Sequence, residues 1–181
     1  MDFETTIQTD RLDLIPLRRE HAKAMFPLLC DISLYEFTGG EPPASQNTLA
    51  ALYGRRETRR SPDGKEQWLN WMIRERQSGV AAGYVQVTIA ASGTNVAWVV
   101  GTRWQGRGFA TEAARAVVAF LVARGVSGIR ACVHQRHLAS QRVAAKAGFA
   151  RTLCLNDGEE VWVHPPTSAN DTSHDTIVNE S

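Results

Sequence analysis

The stretch with the strongest chemical signature is Gln105-Gly106-Arg107-Gly108-Phe109-Ala110-Thr111. It follows the apolar, strand-like run Val96–Val100 and leads into the helix-like run Ala113–Val122. A strand, a glycine-containing turn and a helix start together expose unpaired main-chain N–H groups, and the helix dipole adds favourable potential for an anion. With no Cβ at Gly106 or Gly108, the backbone can approach a phosphate closely. The chemistry implied is the holding of a pyrophosphate. Other phosphate and hydrolase motifs do not fit. A dinucleotide fingerprint requires a third glycine where Thr111 stands, within a parallel βαβ unit. No Gly-Lys-Ser/Thr follows at Walker spacing, and there is no His-Glu-x-x-His, Cys-x-x-Cys or Gly-x-Ser-x-Gly elsewhere.

The flanking elements must position this loop. Residues 10–17 alternate into a first strand that stops at Pro16, and 18–31 carry Ala22, Met25, Phe26 and Leu29 at helical spacing. Thr38-Gly39-Gly40-Glu41-Pro42-Pro43 predicts an ordered loop. A second helix is expected over 46–60. Three strands, 67–74, 82–90 and 95–101, are joined by short turns and so form an antiparallel meander. A helix over about 107–124 precedes a strand at 128–134, a helix over 138–147 closed by Gly148, and a hairpin, 150–155 with 159–164, turning on Asn156-Asp157-Gly158. The fold class is α+β, with a mixed, mostly antiparallel sheet of about seven strands and about four helices. Residues 1–164 form one domain. The tail 165–181 lacks Lys and Arg and is rich in Ser, Thr, Asn and Asp, so disorder is expected there.

Composition narrows the function classes. The chain has 181 residues, 43% hydrophobic and 22% charged, which is ordinary for a soluble domain. Neither a membrane-spanning run nor a signal peptide is evident. Cys30, Cys132 and Cys154 are odd in number and irregular in spacing, as in a reduced, cytoplasmic protein without a zinc site. The net charge of +1 hides an asymmetry: residues 101–151 hold eight Arg and one Lys against the single acid Glu112, a surplus of eight positive charges. That segment attracts an anionic ligand or partner. Neither nucleic acid nor membrane is expected as partner.

The order of elements and the sequence Gln105-Gly106-Arg107-Gly108-Phe109-Ala110 resemble the GNAT superfamily of N-acetyltransferases, whose acyl-CoA signature has this form. A second element resembles the family's Asn-x-x-Ser and its helix ending in Lys-x-Gly-Phe: His137 to Ser140, then Lys146, Gly148 and Phe149. With Thr9-Asp10-Arg11-Leu12, the layout is similar to the branch containing the ribosomal-protein N-terminal acetyltransferases. The resemblance spans roughly residues 7–164. It implies that the fourth and fifth strands splay into a V, with the pantetheine arm of acetyl-CoA or another acyl-CoA between them. Val99 and Val100 would pair with that arm. The N–H groups of Arg107, Gly108, Ala110 and Thr111 would hold the pyrophosphate, with Gln105, Gly106 and Phe109 completing the donor-binding signature, and Arg103, Arg107 and Arg142 are candidates for the 3′-phosphate or for a donor protein. His137 stands where Asn is more usual.

The implied chemistry is direct attack of an amine on a thioester, with no covalent enzyme intermediate and no metal. Orientation alone can lower such a barrier by up to ~7–11 kcal/mol. A main-chain N–H near Val100 would stabilise the oxyanion. Ser140 stands where the branch places a hydroxyl beside the thiol; it is the candidate proton donor to the thiolate, or else a helix cap. For the general base, Glu36 and Glu41 flank the glycine loop and His134 ends a strand; each could instead be an ordinary polar side chain. Asn70, a lone amide in an apolar strand, must find a partner, either structural or a substrate. Trp98 is the second candidate substrate contact. A small-molecule amine is the expected acceptor, and a protein N-terminus the alternative. The thioester could be carried by an acidic acyl carrier protein, and an exposed sheet edge would suit a homodimer. A non-catalytic acyl-CoA-binding module is the reading from a different class.

Overall fold

The computed structural model describes residues 3–165. The tail expected to be disordered therefore lies outside the described residues, apart from Pro165. The chain opens with β1 (Ile7–Gln8) and β2 (Leu12–Pro16), and a 3-10 turn leads into α1 (Ala22–Leu29). After a second 3-10 turn at Ile32–Tyr35 comes α2 (Gln46–Arg56). The meander is β3 (Gln67–Glu75), β4 (Ala81–Ala90) and β5 (Gly93–Val100). Then follow α3 (Phe109–Val122), β6 (Ile129–His134), α4 (Leu138–Lys146), β7 (Ala150–Asn156) and β8 (Glu159–Val163). One sheet of eight strands runs β1-β2-β3-β4-β5-β6-β8-β7, antiparallel except where β5 meets β6. The architecture is the expected α+β with four α-helices, and β1 adds one strand to the expected seven.

Local chemistry explains most boundaries. Ser45 caps α2 by accepting from the Thr48 N–H at 3.1 Å. That helix stops at Arg56 and not at the expected residue 60, because Arg59 is left-handed (φ +57°) and Arg60 bridges to Gln67. The β7–β8 turn places Asp157 and Gly158 at φ +48° and +81°, the type I′ geometry that an Asp-Gly hairpin favours.

The sheet buries both faces. On one, Leu69, Trp71, Ile73, Val85, Val87 and Val96 pack against the α3 stripe of Phe109, Ala113, Val117 and Leu121. On the other, Met72 and Ala81 meet Met25, Leu29, Leu49 and Tyr53 of α1 and α2. The β3–β4 register slips between Ile73 and Arg74, and just beyond the slip β4 presses on β5. A Cβ built on Gly83 would lie 2.0 Å from the Val99 carbonyl oxygen, so only glycine permits that approach. Among the described residues, no helix is long and apolar enough to cross a membrane.

Candidate active site

The site begins where the sheet comes apart. β5 and β6 share only the pairs Thr94↔Ile129 and Asn95↔Arg130. The main-chain orientation beyond them follows from two fixed bonds. Thr94 N–H donates to the Gly128 carbonyl on the β6 side at 3.1 Å, and Gly101 N–H donates to Ala82 on the β4 side at 2.9 Å. Strand alternation then turns the N–H and C=O of Trp98 and Val100 into the gap and those of Val99 toward β4. Val99, expected to pair with a ligand, therefore turns its main-chain groups toward β4, while Trp98 turns its own into the gap. The Val100 carbonyl is already taken by the Gln105 side-chain amide at 3.2 Å, which ties the glycine loop to the strand.

That loop delivers its amides as the motif requires. Gly106 and Gly108 sit at φ +74° and +81°, and Gly108 precedes the first residue of α3 without any side-chain cap. From Gly106 through Thr111, no N–H donates to a protein acceptor among the described residues. Six successive donors at the positive end of a helix form a built anion site, and phosphate oxygens fit it.

Side chains fasten the loop from behind. Glu112 accepts from the Thr9 hydroxyl at 2.6 Å and from Arg11 N–H and Nε at 3.0 and 2.7 Å. Burial pushes its carboxyl up, but these bonds outweigh that and hold it below the ordinary glutamate range. Arg11 also donates to the Arg107 carbonyl at 2.9 Å. The Arg107 guanidinium pairs with Glu75 at 2.6 Å and lies 4.7 Å from the Phe109 ring centre. Glu75, which also accepts from Ser78 and Trp104, is held below its ordinary value, the Ser78 hydroxyl contributing most. The Arg107 side chain, a candidate for the 3′-phosphate or a donor protein, thus braces the loop through Glu75. Phe109 is 1% exposed, so it can offer a ligand only its N–H.

A cavity of about 170 Å³ fills the splay. Val96, Ala97 and Trp98 form one wall and Cys132, Val133 and His134 the other, with Phe37 and Thr38 of the α1–α2 loop above. Trp98 donates its indole N–H to the Ser140 hydroxyl oxygen at 3.1 Å. Ser140 is the third residue of α4, not its cap; His137 holds the cap position and makes no side-chain capping bond. The Ser140 O–H can therefore point into the gap, with its oxygen already occupied. His137 stacks on Phe37 at 4.6 Å. Burial, aided by His134 and opposed by Glu36, lowers its pKa, so the ring is neutral at pH 7.

The three candidate bases fare differently. His134 lines the cavity, but its Nδ1 accepts from Arg136 N–H at 3.2 Å. That bond leaves Nε2 as the ring nitrogen without a protein partner among the described residues. Glu36 is exposed and reaches the cavity only through the field it exerts on His137. Glu41 is exposed and does not line the cavity. The carboxylate that does line it is Glu159, the cross-strand partner of His134. Nothing local in the sequence singles Glu159 out; only the pairing of β8 with β6 brings it here. Asn70 lies on β3, in a separate cavity with Trp68 and Gln86. Among the described residues, no three His, Cys, Asp or Glu side chains gather as metal ligands would.

Known proteins provide an independent comparison. A family profile described as an acetyltransferase (GNAT) domain matches residues 11–150. No curated protein matches. Solved structures do: AAC(6′)-Ib in complex with paromomycin and acetyl-CoA superposes with a TM-score of 0.69 at 19% identity, over 85% of this chain and 92% of its own. Spermidine N-acetyltransferase from Vibrio cholerae, with CoA and spermine, gives 0.66 at 17% identity, over 86% and 94%. The ribosomal-protein α-N-acetyltransferase RimL gives 0.68 at 16%, over 88% and 92%. At these identities the likeness is one of fold.

Proposed function

Since the chain belongs to the acetyltransferase (GNAT) family, we propose that it transfers an acyl group, acetyl in the simplest case, from a CoA thioester to the primary amine of a small molecule by direct attack. The observation that carries this reading is the run of six unpaired amides, Gly106 to Thr111, beside a gap edged by the main chain of Trp98 and Val100. A pyrophosphate and an extended pantetheine arm match these two features. The Val100 N–H faces the gap and serves as oxyanion donor.

In the reaction the amine nitrogen forms a bond to the thioester carbon, the C–S bond breaks, and the amine loses one proton while the thiolate gains one. Glu159 is the group that takes up the ammonium proton, directly or through water. Ser140 passes a proton to sulfur and recovers one from solvent, to which Glu159 releases the proton taken from nitrogen; the Trp98 N–H on the Ser140 oxygen makes that hydroxyl a better acid and fixes its direction. A general acid of this kind contributes roughly 10²–10⁴-fold. His137, neutral and stacked on Phe37, offers one hydrogen bond to the pantetheine.

The neighbours bound to an aminoglycoside and to spermine support a small polyfunctional amine as acceptor. RimL supports a protein N-terminus instead. The surplus of positive charge over residues 101–151 leaves an acyl carrier protein as a second reading for the donor. With Arg107 tied to Glu75 and Arg103 set over Trp104 at 5.4 Å, Arg142 is the candidate left for the 3′-phosphate or the carrier. The setting is the cytoplasm, where acetyl-CoA and reduced thiols coexist.

The test is release of free thiol from acetyl-CoA with a panel of amines. Gly108→Trp is the control: a Cβ there already comes within 3.4 Å of Arg11 Nη2, and the ring would fill the cradle. Thiol release by the parent protein, lost in Gly108→Trp along with CoA binding, is the expected result. Tight CoA binding without thiol release from any amine would instead support a binding module.

A further inference from the structure

On the sheet face shared with α1 and α2, a second cavity of about 240 Å³ opens beside the end of α2. Arg56, Glu66, Trp68, Asn70, Gln86 and Thr88 line it. Asn70 is 5% exposed, and its Oδ1 has no hydrogen-bond partner. A buried amide oxygen left unpaired is costly, so one at a cavity wall marks a place for an incoming N–H or O–H. The Arg56 side chain, half-buried at the cavity edge, makes no ion pair or hydrogen bond among the described residues. Glu66 is partly engaged, accepting from the Trp68 indole at 2.8 Å.

The register joins this cavity to the one in the splay. Asn70 pairs with Gln86 and Gln86 with Ala97; Trp68 pairs with Thr88 and Thr88 with Asn95. Ala97 and Asn95 line the splay cavity, so two continuous cross-strand rows link the pockets on one face. Asn95 Oδ1, between them, is likewise buried and unpaired. Strands lie about 4.8 Å apart, so β3 and β5 are separated by roughly 10 Å.

We propose that this row is the tail subsite of the acceptor and that the acceptor is peptide-like: its amine lies in the splay, its N–H groups meet Asn95 and Asn70, and its free carboxylate meets Arg56. The assignment rests on the acyl-transfer reading for the amine end only. Crossing from β5 to β3 alone takes three residues of extended chain at about 3.3–3.6 Å each. An anion pairs with Arg56 by charge-assisted hydrogen bonds. Glu66 opposes that anion, which gives the proposal a second sign to test.

The probes are triglycine, its C-terminal amide, and diglycine and tetraglycine acids, titrated calorimetrically into the parent protein without acyl donor and then assayed for thiol release with acetyl-CoA. Triglycine should bind at least tenfold tighter than its amide and tighter than diglycine, which is too short to reach β3 from the splay. Arg56→Gln should erase the preference for the acid, while Glu66→Gln should enhance it; unchanged circular dichroism and CoA affinity report intact folds. Equal binding of acid and amide, insensitivity to Arg56→Gln, or no peptide binding at all overturns the subsite. Thiol release with other amines under those outcomes would leave the acyl-transfer reading standing. Carboxylate-dependent binding without thiol release from any amine would do the reverse.

Discussion

Replacing Trp98 by Phe probes the proton donor through a neighbour that performs no chemistry. The change keeps an aromatic ring in the site, where Trp98 sits 6.3 Å from Phe149, and deletes one N–H. That N–H donates to Ser140 Oγ at 3.1 Å, a neutral hydrogen bond worth about 1 kcal/mol. If the bond serves the transition state by acidifying and aiming the hydroxyl, kcat should drop roughly fivefold. Ser140→Ala should lower kcat by ~10²-fold, the low end for loss of a general acid. Because Trp98 acts only through Ser140, adding Trp98→Phe to Ser140→Ala should cost nothing further, a coupling of about 1 kcal/mol in the double-mutant cycle. The assay is steady-state thiol release at saturating acetyl-CoA, with CoA affinity measured separately to exclude a binding effect. Fully additive losses, or a Ser140→Ala enzyme with parental kcat, would refute the assignment of Ser140 as proton donor.

Three further outcomes are expected. Gly83→Ala forces a Cβ to 2.0 Å from the Val99 oxygen, so β4 and β5 must separate; denaturant unfolding should show a loss of several kcal/mol, beyond the usual ~1 kcal/mol of a point change. Glu112→Gln should destabilise by on the order of 1 kcal/mol at pH 7, since it weakens the bonds to Thr9 and Arg11. The Glu112 carboxyl is depressed in the fold, so its contribution is present above about pH 4.5 and is lost as pH falls through its lower folded value; parent and variant melting curves should converge in acid. His137 is also depressed, so its neutral form supports the fold above about pH 6.5, and protonation of the unfolded chain erodes stability below that. His137→Asn should flatten that part of the pH–stability profile, read by thermal melts between pH 7 and 5.

Features built from neighbours in sequence were legible in advance. The Asp157-Gly158 hairpin, the meander and the glycine loop each follow from backbone preferences that need no distant partner. What was not legible concerns long-range pairing. Arg59 ends α2 early in a left-handed conformation, its side chain bonded to Glu4 and the Phe3 carbonyl. Arg107 looked like a phosphate ligand because the acid that claims it, Glu75, is on β3. Glu159 looked like a hairpin residue until β8 set it opposite His134. The Nδ1 of His134 is taken by one main-chain N–H two residues on, a bond no composition argument foresees. The two-residue β1 has too few positions to show a period.

The two-pair ladder between β5 and β6 has a thermodynamic consequence. The sheet is two stiff leaves, β1–β5 and β6–β8, sharing one short hinge. A thioester arm lying along Trp98 and Val100 supplies rungs that the protein's own strands do not, and so becomes a structural member of the sheet. Donor occupancy and folding are then coupled: at a hundredfold excess over Kd the bound state gains about 2.7 kcal/mol. For a chain of this size that corresponds to a rise in Tm of roughly 5–11 °C. The gain should appear as slowed amide exchange at Trp98 and Val100 on one leaf and at Cys132 and His134 on the other, with little change in β1 or β2 at the far edge of the sheet.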